Sequence, residues 1–241
     1  RAKTVEDRLA RSEPIAYAEG AWSTFDPNVL TIGFARRIAV YKRLHLLIRD
    51  PERALGLLRG GRLQVVIAGR AHPQDDQAKH IVKSIFELKD AVGSRVVFLE
   101  DYDLAVAHQL VAGCDVWVNV PRAPLEASGT SGMKAALNGA LNLSVLDGWW
   151  CEAYEENLTG WGIASSNEAD ESTQDDRDAR TLFGLLEREV LPMFYERDAE
   201  GIPREWTRRI KASLRRIATM FTTKRMLDEY ADRVWQERGG E

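Results

Sequence analysis

The stretch LTIGFARRIAVYKR, residues 30–43, sets an apolar run directly against a cluster of cations. The run of residues 30–35 is short and carries no charge, which is typical of a strand buried on both faces of a parallel sheet. Four cations follow within eight residues at the predicted exit of that strand: Arg36, Arg37, Lys42 and Arg43. At a strand-to-helix junction, N–H groups and the helix dipole would add to these charges. The segment therefore predicts a phosphate site, with a basic surface cluster as the alternative.

Similar apolar runs recur along the chain and alternate with helical patterns. The predicted strands are Leu30–Ala35, Leu63–Ala68, Val96–Leu99, Val116–Val120, Leu141–Leu146 and a sixth candidate, Gly160–Ala164. Strand–helix alternation predicts βαβ units, and hence an α/β protein with a doubly wound, mostly parallel, Rossmann-like sheet. Such a sheet binds its ligand beyond the carboxyl ends of its strands, where the basic segment is expected.

The chain is predicted to fall into four segments. Residues 1–28 form a lead-in segment with a short helix, and residues 29–166 form the Rossmann-like core. Residues 167–178 are rich in Asp and Glu, which is typical of a solvated acidic loop. Residues 179–241 carry apolar side chains at gaps of three and four residues, which predicts C-terminal helices packing on the core.

Composition narrows the classes of function. Hydrophobic residues make up 44% of the 241 residues and charged residues 29%, which is enough apolar material for a sizeable core. A net charge of −4 offers no general attraction to nucleic acid or an anionic membrane, and no apolar stretch reaches the roughly 18 residues of a membrane span. The two cysteines have no zinc or disulfide spacing, and no histidine pair has metal-ligand spacing. We therefore expect a reducing, cytoplasmic compartment and no metal site.

A second informative loop follows the fourth predicted strand and reads EASGTSGMKAALNGA, residues 126–140. Its small residues let the backbone approach a ligand closely. The hydroxyls of Ser128, Thr130 and Ser131 can bond to phosphate or sugar oxygens. A helix starting near Gly132 would point its N–H groups at an anion. The loop is neither a Walker loop nor a GxGxxG dinucleotide motif.

Residues 126–140 resemble the cofactor motif of the α-glucan (glycogen/maltodextrin) phosphorylases. Three further stretches resemble other motifs of that family in the same order: Arg36–Arg43, Val66–Pro73 and Val97–Tyr102. The resemblance implies the C-terminal catalytic domain of a two-domain, GT-B type glycosyltransferase. The implied reaction transfers the terminal glucosyl unit of an α-1,4-glucan to inorganic phosphate to give glucose 1-phosphate.

The resemblance also assigns roles to individual residues. Lys134 would hold pyridoxal 5'-phosphate as a Schiff base and so count among the catalytic residues. The cofactor would be bound in addition by Arg36, Tyr102, Thr130, Ser131 and Gly132. The substrate phosphate would be held by two further catalytic residues, Arg37 and Lys42. The hydroxyls of the reacting glucose would be bound by Glu126, Ala127, Ser128 and Gly129.

The same resemblance extends to mechanism and partners. In this family the proton is transferred by the phosphate group of the cofactor rather than by its aldehyde. Two adjacent phosphates repel each other, so nearby cations are needed to hold them. An N-terminal domain of the same enzyme would close the cleft. Because the chain begins at Arg1 without Met, we expect a fragment or processed piece that is inactive, or nearly so, alone. The expected partners are an α-1,4-glucan, inorganic phosphate and that N-terminal domain, with a homodimer as one assembly of the full-length protein.

Two other functions remain open. A nucleotide-sugar glycosyltransferase of the glycogen synthase type shares the fold class and the basic pair, but usually carries a second Glu where this chain has Lys134. A non-catalytic phosphate- or sugar-binding module is the alternative for the isolated chain. Trp149 and Trp150 either line the sugar site or, as we favour, pack in the core. His72 either reaches the cleft or belongs to a loop.

Overall fold

The computed structural model describes residues 1–100, 102–164 and 170–235. Its centre is a sheet of six parallel strands: β1 (Leu30–Ala35), β2 (Leu63–Ala68), β3 (Val96–Leu99), β4 (Val116–Asn119), β5 (Leu141–Val145) and β6 (Gly160–Ile163). The strands lie in the order β3-β2-β1-β4-β5-β6 and every neighbouring pair is parallel. The predicted α/β, Rossmann-like fold is confirmed, and so are the predicted strands to within one residue at each end.

The strands are apolar throughout because both faces of the sheet are covered. Along β1, Leu30, Ile32 and Phe34 contribute to one hydrophobic cluster, whereas Ala35 belongs to a second cluster on the opposite face. This alternation follows from the two-residue period of a strand. The pairing register preserves this alternation from strand to strand. β1 and β2 pair residue by residue, from Leu30 opposite Leu63 to Ala35 opposite Ala68.

Helices cover the sheet and connect its strands. They are α1 (Ala2–Ala10), α2 (Ile15–Glu19), α3 (Pro51–Arg59), α4 (Asp76–Val92), α5 (Leu104–Gly113), α6 (Thr130–Leu137), α7 (Trp150–Ala153), α8 (Glu171–Leu185), α9 (Leu191–Tyr195), α10 (Arg204–Met220) and α11 (Thr223–Tyr230). A π-helical turn, Leu186–Val190, joins α8 to α9. Asp50, Asp75 and Asp103 cap α3, α4 and α5, because each carboxylate accepts a hydrogen bond from a first-turn N–H group.

The sheet order places the site. Going outward from the centre, β1 continues to β2 and β3 on one side, whereas β4 begins the series on the other side. Ligands of doubly wound sheets bind where the order reverses, beyond the carboxyl ends of the strands. Here that point lies between the ends of β1 and β4. The basic segment leaves β1 at Arg36, and the loop leading to α6 leaves β4 after Asn119.

The predicted acidic loop is wrong where the structure describes it. Residues 167–169 lie outside the described residues, but α8 begins at Glu171 and continues through the acidic stretch. Asp170 caps this helix by accepting hydrogen bonds from the N–H groups of Ser172 and Thr173. Asp175 and Asp178 are buried rather than solvated. Composition suggested a surface loop because Arg43, the cation that pairs with both carboxylates, is more than 130 residues away in sequence.

The C-terminal helices pack on the core only in part. Leu182 and Phe183 of α8 and Trp206 of α10 join the main hydrophobic cluster. In contrast, α11 and the turn after it leave apolar side chains exposed: Met226, Leu227, Tyr230, Val234 and Trp235. The prediction of packing is therefore wrong for this face of α11.

No described helix has the length and apolar character needed to cross a membrane. The four-segment division of the chain otherwise stays a prediction.

Candidate active site

A cleft of about 740 Å³ opens at the carboxyl ends of the central strands, which is within the usual size of ligand sites. All of the predicted site residues line it except Arg37 and Gly132. Those that line it are Arg36, Lys42, Tyr102, Glu126, Ala127, Ser128, Gly129, Thr130, Ser131 and Lys134. The two sequence segments that predicted an anion site therefore meet in one cavity.

One carboxylate oxygen lies between the two cleft cations of the basic segment. Oε2 of Glu126 accepts a hydrogen bond of 2.9 Å from Nη1 of Arg36 and one of 2.5 Å from Nζ of Lys42. The side chains are 7% exposed for Glu126, 11% for Arg36 and 12% for Lys42, so water screens this cluster poorly. Burial works to raise the pKa of Glu126, but the hydrogen bonds and charges of Lys42 and Arg36 outweigh it and lower the pKa below its usual value.

The backbone beside Glu126 is held from below by the segment after β5. The Glu126 N–H group donates to Oδ2 of Asp147 at 2.9 Å, and the Trp149 N–H group donates to the carbonyl of Ser128 at 2.8 Å. Gly148 passes so close that a Cβ there would lie 2.4 Å from the Ser128 carbonyl oxygen. The path of residues 126–129 is thus set by a neighbouring segment and does not depend on a ligand.

A hydroxyl links the cleft to the core beneath it. Oγ of Ser131 accepts hydrogen bonds of 3.3 Å from Nη2 of Arg36 and from Nε1 of Trp117. Trp117 is almost fully buried on β4. Ser131 therefore satisfies a buried indole N–H group and orients the Arg36 guanidinium at the same time.

The packing around Gly132 requires its small size, and its contact with the cofactor stays a prediction. Its N–H group donates to the carbonyl of Gly129 at 3.0 Å. A Cβ at Gly132 would lie 2.7 Å from Oδ1 of Asn142 and 2.8 Å from the Trp149 ring. Trp149 and Trp150 are 2% and 0% exposed, so the favoured interpretation of both as core residues is confirmed.

The basic segment divides its cations between different environments. Beyond β1 the chain stays extended, with the Arg36 N–H group bonded to the Ala68 carbonyl and that of Ile38 to the Arg70 carbonyl. Successive side chains of extended backbone point to opposite sides. Arg36 accordingly reaches the cleft, whereas Arg37 is exposed and makes no hydrogen bond or ion pair with the residues that the structure describes.

The expected helix dipole after this strand is also missing. Two short 3-10 turns, Val40–Lys42 and Leu44–Ile48, follow the extended stretch, and the first α-helix begins only at Pro51. The positive potential on this side of the cleft therefore comes from Arg36 and Lys42 themselves. An α-helix N-terminus reaches the cleft from the other side, where α6 begins at Thr130.

Arg43, the last cation of the segment, is fully buried away from the cleft. Its guanidinium donates to Oδ1 of Asp175 at 3.0 Å and to Oδ2 of Asp178 at 2.7 Å. It also donates to the carbonyls of Val120 and Pro121, just beyond β4, at 3.0 and 2.9 Å. Arg43 thus ties together the basic segment, the exit of β4 and α8, and it behaves as a structural cation rather than an anion ligand.

Two further side chains contact the carboxylate of Asp175. His45 lies 2.7 Å from its Oδ2 atom, and Nη2 of Arg122 donates to its Oδ1 atom at 2.9 Å. Burial works to raise the pKa of Asp175, but the hydrogen bonds from His45 and Arg43 outweigh it and lower the pKa to about 2.

Sequence reasoning missed one wall of the cleft. Leu104, His108 and Val111 line it from α5, together with Ala107. Their spacing of three, four and seven residues is that of one helix face, and that spacing was the available signal. His72, the histidine considered for the cleft, is exposed, does not line the cavity and instead accepts a hydrogen bond from the Gln74 N–H group at its Nδ1 atom.

The donor set of the cleft suits a phosphate-bearing aldehyde. Lys134 supplies a primary amine from the exposed side of α6, and Arg36 supplies a guanidinium. Hydroxyls of Thr130 and Ser131 stand at the start of the same helix, where N–H groups attract anions. Tyr102 forms part of the wall, and burial raises the pKa of its phenol against the opposing charge of Arg36. These residues fit the cofactor that the resemblance implies.

Comparison with known proteins gives a consistent assignment. A family model described as carbohydrate phosphorylase matches residues 34–182. A glycogen phosphorylase of Mycobacterium tuberculosis is 44% identical over 249 residues, covering 98% of this chain and 29% of the relative. A glycogen phosphorylase of Aquifex aeolicus is 43% identical, covering 92% of this chain and 32% of the relative. A maltodextrin phosphorylase of Thermococcus litoralis is 41% identical, covering 98% and 27%. The chain spans roughly three tenths of the length of these relatives.

Proposed function

Because this chain belongs to the carbohydrate phosphorylase family, we propose that it forms part of an α-1,4-glucan phosphorylase and carries the phosphate-binding wall of its active site. The proposed reaction moves the terminal glucosyl unit of glycogen or maltodextrin to inorganic phosphate, giving glucose 1-phosphate. The relatives that share most of this chain are named glycogen phosphorylase or maltodextrin phosphorylase, which supports this substrate class.

The observation that carries the proposal is the meeting of three cationic side chains in one cleft. Lys134 comes from α6, whereas Arg36 and Lys42 come from the segment after β1, about 90 residues earlier, and all three line the same cavity. Placing like charges side by side is unfavourable unless anions balance them. Glu126 supplies one negative charge, so the cleft remains suited to bind further anions.

We assign pyridoxal 5'-phosphate as the cofactor and Lys134 as the residue that attaches it. Arg36, Tyr102, Thr130 and Ser131 would hold it, with Gly132 contributing through the fold of the loop rather than through its own N–H group. When bound, the cofactor would supply a phosphate group that can pass a proton toward the departing glycosidic oxygen and regain one from the substrate phosphate. The cations of the cleft would hold that phosphate beside the substrate phosphate.

Substrate phosphate is assigned to Lys42 and Arg37. Lys42 points into the cleft, and its charge opposes the repulsion between two adjacent phosphates. Arg37 directly follows the cleft residue Arg36 and is exposed, and a long side chain without a partner among the described residues can reorient toward an anion at low cost. Binding by both would raise the local concentration of phosphate and fix its orientation toward the anomeric carbon.

Residues 126–129 are assigned to the reacting glucose. The Glu126 carboxylate is an acceptor for sugar hydroxyls, and Ser128 offers a hydroxyl that both donates and accepts. Ala127 and Gly129 leave the backbone accessible between them. The support from Asp147 and Trp149 would keep this loop in place before sugar arrives, which lowers the cost of ordering on binding.

The whole protein would contribute the rest of the active site. The matched relatives are more than three times longer than the aligned region, and a second domain is expected to close the cleft opposite the wall described here. We propose that this chain alone binds cofactor but turns over little or no glucan. We place the whole enzyme in the cytoplasm, with a homodimer as one assembly of the full-length protein.

The test is a phosphorolysis assay on the whole protein with maltodextrin and inorganic phosphate. Formation of glucose 1-phosphate that depends on both substrates is the expected result. A nucleotide-sugar transferase would instead consume a nucleoside diphosphate glucose and leave phosphate untouched. Transfer from that donor, without phosphorolysis, would overturn the proposal.

The assignment of the cofactor is tested separately with Lys134→Ala. The wild type should show the near-ultraviolet or visible absorbance of bound pyridoxal phosphate, and borohydride reduction should fix it to the peptide containing Lys134. The variant should show neither. Lys79→Ala on the exposed surface of α4 is the matched control and should keep both signals. Unchanged absorbance in the Lys134 variant would overturn the assignment.

A further inference from the structure

The cluster of Arg36, Lys42 and Glu126 has a geometry that none of the assigned roles uses. Both cations donate to the same carboxylate oxygen, Oε2 of Glu126, at 2.9 and 2.5 Å. The three side chains are nearly buried, so this oxygen occupies the space into which both cations direct their hydrogen bonds. An anion that takes both donors must take the place of that oxygen.

We propose that Glu126 is an exchangeable counter-anion of the phosphate site. While the cleft holds no phosphate, the carboxylate bridges Arg36 and Lys42. The phosphate of a bound cofactor would take over Arg36. When substrate phosphate binds, its oxygens take over Lys42, and the carboxylate turns to accept hydrogen bonds from sugar hydroxyls. This inference rests on the proposed function and goes beyond it, because it makes one side chain the link between the two substrate sites.

Electrostatics favours exchange over simultaneous binding. A phosphate dianion beside an ionised carboxylate is repelled strongly where water is excluded. The hydrogen bonds and charges of Lys42 and Arg36 lower the pKa of Glu126, so the carboxylate is ionised at neutral pH when phosphate arrives. Moving the carboxylate away from the cations as phosphate arrives removes the repulsion.

The surrounding structure lets the side chain move without its backbone. The Glu126 N–H group is bonded to Asp147, and the carbonyl of Ser128 is bonded to the N–H group of Trp149. Rotation about the side-chain bonds of Glu126 breaks neither contact. The carboxylate can therefore change partners while the sugar-binding loop keeps its shape.

Exchange predicts that the two ligands help each other to bind. Sugar hydroxyls that donate to the carboxylate draw it from the cations and so open the phosphate site. Phosphate in turn frees the carboxylate for the sugar. Coupling between two binding equilibria is reciprocal, so the gain in affinity is the same in both directions.

The experiment is calorimetric titration of the whole protein with inorganic phosphate, with and without saturating glucose. Glucose has no glycosidic bond to cleave, so no turnover disturbs the measurement. In the wild type, glucose should raise phosphate affinity by about fivefold or more, which is the lower range of ordinary coupling. In Glu126→Gln, phosphate should bind about tenfold more tightly without glucose, because its competitor has lost its charge, and glucose should have no further effect.

Two control variants separate the loss of the charge at Glu126 from other effects of a substitution. Glu87→Gln makes the same substitution at an exposed site on α4 and should behave as the wild type. Glu126→Asp keeps the charge on a shorter side chain and should retain some coupling. Equal or weaker phosphate binding by Glu126→Gln, or phosphate affinity in the wild type that ignores glucose, would overturn the exchange. The wild-type titration needs no variant, so a folding defect cannot hide the answer. Failure of the wild type to bind phosphate at all would overturn the proposed function itself.

Discussion

Two arginine–carboxylate clusters arise from the same eight residues of sequence, yet the structure puts them to different uses. Arg36 joins Lys42 and Glu126 at the wall of an open cleft. Arg43 joins Asp175 and Asp178 in the interior, where its side chain is fully buried. The first cluster has more positive than negative charge and faces a cavity. The second cluster has two carboxylates for one guanidinium and additional donors from His45 and Arg122.

The difference shows that environment, rather than residue type, decides whether an ion pair serves binding or folding. The cleft cluster can exchange its carboxylate for a ligand anion, since space lies beside it. In the interior cluster Arg43 and Asp178 are almost fully buried, so their charges must satisfy one another. A buried charge that loses its partner costs far more than a charge that can turn to water.

The largest expected effect comes from breaking the interior cluster with Arg43→Met. Asp178 would lose its guanidinium partner and remain buried as an unpaired charge. We expect the free energy of unfolding in urea to fall by about 3–5 kcal/mol. Adding Asp178→Asn should recover part of this loss, because it removes the unpaired charge. Arg37→Met, at an exposed position of the same segment, should change stability by no more than about 0.5 kcal/mol. Similar losses in the two arginine variants would refute the distinction between the clusters.

Arg37 provides the next test, because it belongs to neither cluster. In the whole enzyme, we expect Arg37→Ala to lower kcat/KM for phosphate about 100-fold, or roughly 2.7 kcal/mol at the transition state. Initial rates at limiting phosphate measure this effect, and the unfolding free energy should stay near that of the wild type. Arg215→Ala on the exposed side of α10 is the matched control and should leave the rate unchanged. A wild-type rate for the Arg37 variant would remove this residue from the phosphate site.

Acid should weaken the interior cluster through Asp175. The pKa of this carboxylate is about 2 in the folded chain against 3.8 without the fold, so its ionised form stabilises the folded state. That contribution is complete above pH 3.8 and is lost as the pH falls through about 2. We expect the wild type to lose about 2 kcal/mol more than Asp175→Asn between pH 5 and pH 2. Urea unfolding at several pH values gives both curves, and parallel curves would contradict the assigned partners.

Much of the fold could be predicted because its main signal is local. Leu30–Ala35, Leu63–Ala68 and Val96–Leu99 are strands with the predicted bounds, since strands buried on both faces are continuous apolar runs. The acidic stretch gave the opposite result. Its carboxylates looked solvated in isolation, and only the fold brings Arg43 and Arg122 to Asp175.

The candidate site shows the same limit on a smaller scale. Motifs predicted which segments meet at the cleft, but they did not predict which side of an extended strand each cation takes. Arg36 and Arg37 are adjacent and chemically identical, and only the pairing beyond β1 separates them. The packing constraint at Gly132 could not be predicted for a related reason. The atoms that a Cβ there would meet belong to Asn142 and Trp149, which lie in other segments of the chain.

The smallest expected effect tests the one hydroxyl that connects the cleft cluster to the core. Ser131→Ala would leave the Trp117 indole N–H group without its acceptor and would free one end of Arg36. Both bonds are long, at 3.3 Å, so we expect a loss of about 1 kcal/mol in the free energy of unfolding. Ser84→Ala, on the exposed surface of α4, is the control and should cost less. Phosphate affinity should fall modestly, because the guanidinium of Arg36 would be less well oriented. A loss of 3 kcal/mol or more would mean that Ser131 belongs energetically to the interior, and that the cleft and the core are less separable than the two arginine clusters imply.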